Sequence, residues 1–137
     1  MGLMAGALGA GCQPVTEGQA DTSQEAFAAI SADETIHLTG TEPFWGGTVQ
    51  RERFLYRTPE NQAGEPIAVK RFAGNSGLAF SGVRGGRPVD LMITRGICSD
   101  GMSDRTYPYT ATLRIDSEQR SGCAWTDRQP FAGPANP

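Results

Sequence analysis

The chain has 137 residues, 38% of them hydrophobic and 20% charged, which is enough apolar material for one small core and too little length for a second. Its 15 acidic residues against 12 basic ones leave a net charge of −3, so the positive field that phosphate backbones require is missing and nucleic acid is not an expected partner. The 18 glycines and 9 prolines make up about a fifth of the chain, where average usage would be about 12%, so turns should be many and long helices few.

Residues 1–11, MGLMAGALGAG, carry no ionisable side chain and run directly into Cys12. The stretch Leu8-Gly9-Ala10-Gly11-Cys12 resembles the lipobox of bacterial lipoproteins, in which small residues ahead of the cysteine admit the backbone to a signal peptidase. The resemblance implies that residues 1–11 are a signal remnant, that Cys12 is acylated on its thiol and new amino group, and that the lipid bilayer is a partner. The segment falls short of the ~20 residues a spanning helix needs, whereas two or three acyl chains anchor a protein firmly. An ordinary secretory remnant, leaving the protein secreted, is the alternative. Residues 12–32 then read as the lipidated cysteine and a flexible linker, polar and small, with one short helical turn capped by Ser23 and running to Ile30.

From Thr35 the hydrophobic period becomes two, which is the pattern of strands with one buried face. Candidate strands are residues 35–39, 47–57, 67–72, 78–83, 89–93, 107–115 and 121–125. In residues 107–115 the side chains of Tyr107, Tyr109, Ala111, Leu113 and Ile115 point one way, and Thr110, Thr112 and Arg114 the other. Gly85-Gly86 predicts a tight hairpin between residues 78–83 and 89–93, and residues 116–119 a turn before the last strand. Close spacing without helical crossovers predicts an all-β, mainly antiparallel fold. The expectation is a small closed or partly open barrel of about six to eight short strands over residues 33–128, with a disordered tail at 129–137.

With Cys12 reserved for lipid, Cys98 and Cys123 form the natural pair, and in an oxidising envelope they read as a disulfide. Two free buried thiols in a reducing compartment are the alternative. No metal or cofactor is expected, because His37 is the only histidine and no CxxC or HxxxH spacing occurs.

Two segments stand out: Gly40-Thr41-Glu42-Pro43-Phe44-Trp45, and Cys98 through Tyr109 (CSDGMSDRTYPY) continued by Ser121-Gly122-Cys123-Ala124. Together they resemble a family of uncharacterised bacterial envelope lipoproteins, which implies a location in the cell envelope facing the periplasm and implies no defined activity. In architecture alone the chain is similar to small lipoprotein barrels such as the membrane-bound inhibitors of c-type lysozyme and the META domains. Trp45 reads either as core or as a stacking platform at a barrel mouth. Asp100 and Asp104 bracket Gly101 in a loop that lacks the further ligands of a calcium site, so local turn bonding with Arg105 as counter-ion is the simpler reading. No catalytic residue is expected. The resulting expectation is a non-catalytic binding or envelope-maintenance module that contacts an envelope protein or cell-wall component through Trp45, Asp100, Asp104, Arg105 and Tyr107. A cell-wall hydrolase or esterase using Asp100 and Asp104 is the alternative.

Overall fold

The computed structural model describes residues 27–41, 43–101 and 104–133. The expected signal remnant, the acylated Cys12, most of the linker and the Ser23 cap lie outside the described residues. So do Glu42 of the first motif and Met102 and Ser103 of the second.

Eight strands follow one another: β1 (Thr35–Thr41), β2 (Phe44–Gln50), β3 (Arg53–Thr58), β4 (Asn61–Ala73), β5 (Gly77–Arg84), β6 (Arg87–Ser99), β7 (Thr106–Ile115) and β8 (Glu118–Thr126). Each pairs antiparallel with the next, and β8 returns to β1 through the register Ile36↔Thr126 to Gly40↔Gly122, which closes the barrel. The fold is therefore all-β, as the period of two requires, and closure removes the exposed strand edges. Inward positions carry Val49, Phe54, Ile67, Val69, Leu78, Phe80, Val89, Leu91, Ile93, Ala111 and Leu113, all buried, so side chains fill the interior as expected for an eight-stranded barrel.

The hairpin at Gly85-Gly86 forms as the sequence predicts. Both glycines have positive φ (58° and 81°) between the paired Arg84 and Arg87, the backbone that a two-residue hairpin favours. The stretch 47–57, expected as one strand, is two. Gln50 pairs with Arg53, and Arg51 turns the chain at φ 56°. No glycine, proline or asparagine marks that turn, so composition concealed it.

An up-and-down meander places alternate connections at opposite ends. The hairpin end holds the β1–β2, β3–β4, β5–β6 and β7–β8 turns, and the terminal end holds the other connections with both chain ends. At the terminal end, residues 27–32 are not linker. Phe27 and Ile30 are buried in the core, at 5% and 1% exposure, and residues 27–30 are irregular rather than helical. The Phe27 amide donates to the Gly74 carbonyl (2.6 Å), and Arg71 donates to the Ile30 carbonyl (2.7 Å). Residues 129–133 are likewise not a loose tail. Gln129 accepts from the Tyr109 hydroxyl (2.8 Å) and donates to the Ala29 carbonyl (2.9 Å), so it locks both termini over this end. The physical reason is that a barrel this small leaves its open end apolar unless adjoining chain covers it.

Candidate functional site

The cysteine-bounded segment lies at the terminal end. Cys98 and Cys123 are disulfide-bonded, as expected, with Cα atoms 5.6 Å apart. Because β7 separates their strands, a flat sheet would hold them about 10 Å apart. An extra residue in β6 between Arg95 and Cys98 makes a bulge, with Gly96 at φ 148°, that redirects the end of β6 toward β8.

The side chains of this segment engage one another. Tyr107 is buried, packing against Trp125 (centroids 5.1 Å apart) and Phe131 (5.7 Å), and its hydroxyl donates to Asp100 Oδ2 (3.3 Å). The Arg105 guanidinium lies 4.1 Å from the Phe131 ring centroid, and Phe131 is held by the two backbone bonds between Thr106 and Ala132. Asp104 is exposed. His37 faces outward, as its strand position predicts, stacking on Trp125 (5.2 Å) with Nε2 3.2 Å from Asp127 Oδ1. The structure thus brings Asp100 to Tyr107 and sets Arg105 beside them through Phe131.

Trp45 does not join them. It sits at the start of β2, at the opposite end, with 3% exposure, and its Nε1 donates to the Ser121 carbonyl (3.1 Å). Of its two readings, core packing is the one realised. The residue before it, Phe44, points outward and is 54% exposed.

Around Phe44 the barrel is open. A cleft of about 400 Å³ occupies the hairpin end, lined by Phe44, Tyr56, Glu65, Arg84, Glu118 and Arg120 among others. Apart from Phe44, the other five continue the inward phase of their strands toward this end: Tyr56 pairs with Glu65, Arg84 follows the inward row of Leu78 and Phe80, and Arg120 and Glu118 pair with the core residues Leu113 and Ile115. The cleft is therefore the mouth of the barrel. Arg84 Nε donates to both Glu65 oxygens (3.0 and 3.1 Å), while its guanidinium lies 5.7 Å from the Tyr56 ring centroid. Arg120 is mostly buried, donating to the Tyr56 hydroxyl through Nη1 and to Glu118 Oε1 (2.9 Å) through Nη2. Sequence reasoning missed all of these as site residues; Phe44 stood in the first motif, but outside the expected contact surface. The available signal was a charged residue in the inward phase of a strand pattern, as at Glu65 two residues before Ile67 and four before Val69.

Two titratable groups bear on the terminal end. Burial works to raise the Glu34 carboxyl, yet the Ser31 amide (2.7 Å), the Thr126 and Ser31 hydroxyls and the nearby Arg128 charge together outweigh it and hold the group below its ordinary value. Burial pushes the Tyr109 phenol up, with its bond to Gln129 opposing. Among the described residues no cluster of three or more His, Cys, Asp or Glu side chains is placed to hold a metal ion, and no helix is long and apolar enough to cross a membrane.

Compared with protein-family models, curated proteins and solved structures, the chain matches none.

Proposed function

We propose that this chain is a membrane-anchored bacterial envelope lipoprotein whose barrel is a non-catalytic binding module, holding a cell-wall component at the hairpin-end mouth. The observation that carries the reading is the polarity of the barrel. One end is sealed by Phe27, Ile30 and Gln129 where the chain enters and leaves, and the other opens into a polar cleft. Cys12 precedes Phe27 by 15 residues, a tether of at most about 50 Å, so acylation there would direct the sealed end to the bilayer and the mouth away from it. The contact surface thereby moves from the disulfide-bounded loop, whose aromatic and charged side chains engage each other, to the cleft.

Intact-mass measurement on protein from its own membranes should give a chain that begins at Cys12 and carries acyl mass. The same protein should sediment with purified cell-wall sacculi and lose that property on Arg84→Ala. An unprocessed chain would sink the anchor, and sedimentation unaffected by Arg84→Ala would sink the mouth as the binding site.

A further inference from the structure

We propose that the hairpin-end mouth takes a neutral, hydroxyl-rich glycan strand, seated across Phe44; this rests on the mouth being the binding site. Charge is the first argument. The arginines of the cleft are already neutralised by protein carboxylates, Arg84 by Glu65 and Arg120 by Glu118, and Glu60 lies on the same rim. Such a lining offers no net positive field to a phosphate or polyanion. Glu65 and Glu118 are themselves 37% and 69% exposed, so no deeply desolvated charge awaits a counter-ion from the ligand.

What the cleft does offer is planar, two-pronged hydrogen bonding. Arg84 uses Nε for Glu65, and among the described residues its two Nη atoms have no hydrogen-bond partner, leaving a flat edge of donors. Carboxylate lone pairs of Glu65 and the side chain of Asn61 stand beside it. Adjacent donors and acceptors in a plane match the vicinal hydroxyls of a pyranose, each of which both donates and accepts.

Phe44 supplies the apolar complement. Its exposed ring stands on the rim between the cleft and a second, shallower hollow of about 340 Å³ bordered by Arg57, Thr58 and Gln62. An aromatic ridge between a polar cleft and a largely apolar hollow floored by Trp45, Gly46 and Pro59 suits the C–H face of one sugar ring, with its neighbours on either side. The ligand implied is a strand of two or more units, and about 400 Å³ lies at the small end of ligand pockets.

Calorimetric titration of the full chain with chitotetraose and cellotetraose, with tetragalacturonate as the anionic control, tests this. The expected result is saturable binding of a neutral tetramer with Kd of about 1 mM or tighter, insensitive to added salt, and weakened about fivefold or more by Phe44→Ala and by Arg84→Lys. Phe44 is exposed, so its alanine variant should keep the wild-type unfolding midpoint. Absence of heat from both neutral tetramers, or binding untouched by both substitutions, overturns the proposal. Preference for tetragalacturonate with steep salt dependence also overturns it. Sacculus sedimentation that depends on Arg84 while no neutral tetramer binds would reject the glycan class and leave the mouth as the site; loss of both would reject the two readings together.

Discussion

The indole of Trp45 lies across Gly40, its pairing partner on β1, so closely that a methyl group at Gly40 would stand 1.9 Å from Nε1. Gly122, on the same rung of β8, leaves similar room, with Trp45 Cζ2 2.9 Å from the place of its missing Cβ. Two glycines side by side thus make the slot for the largest side chain of the interior, and the barrel closes across β1 and β8 because that slot is filled.

Gly40→Ala should therefore destabilise the fold by about 1–3 kcal/mol, the range for overpacking a fitted core. Urea unfolding followed by tryptophan fluorescence reads the midpoint. An unchanged midpoint would mean that the indole yields without cost.

Phe27→Ala should cost about 3–5 kcal/mol, because the ring is buried against Tyr109 (6.2 Å between centroids) and under Arg95. Truncation at residue 32 should lower stability, relative to truncation at residue 26, at least as much as Phe27→Ala does. Equal stability for the two truncations would show that residues 27–32 act only as linker.

Replacing Cys98 and Cys123 together by alanine should lower stability by roughly 3 kcal/mol, since the bridge spans a sequence separation of 25. The chain should remain folded at neutral pH, because, although Cys123 is buried, the cluster of aliphatic and aromatic side chains that fills the barrel stays intact. Thermal unfolding with and without reductant measures the difference. A wild-type midpoint that reductant does not move would refute it.

Glu34 adds a pH dependence whose sign follows from its depressed pKa. Its contribution to stability is present above the unfolded value of 4.5 and is lost as pH falls through the lower folded value. The unfolding midpoint of wild type should decline in that acid window more steeply than that of Glu34→Gln. Parallel curves for the two proteins would contradict the assignment.

Much of this fold was legible locally. Alternation in residues 107–115 and 89–93 identified inward and outward faces correctly for Tyr109, Ala111, Leu113, Val89, Leu91 and Ile93, because a strand's period is visible in a handful of residues. The Gly85-Gly86 turn and the pairing of Cys98 with Cys123 were legible for similar reasons, one from backbone conformation and the other from sulfur arithmetic. The Arg51 turn was not, since nothing in residues 47–57 breaks the strand pattern by composition.

The candidate site stood on the other side of that divide. Tyr56, Glu65, Arg84 and Arg120 are scattered over five dozen positions with no motif among them, and each alone reads as an ordinary strand residue. Trp45 and Asp100, which sequence reasoning joined into one surface, sit at opposite ends of the barrel.

By itself the amino-acid order determined that this is an all-β chain, which residues turn their backs to water, and which two sulfurs join, because strand period, turn conformation and disulfide chemistry act over short range or by count. Only the tertiary structure decided which end is sealed and which is open. That depends on barrel closure and on the register of eight strands, relations between residues far apart in the chain, and register is what carries inward-facing charges from three different strands to one mouth.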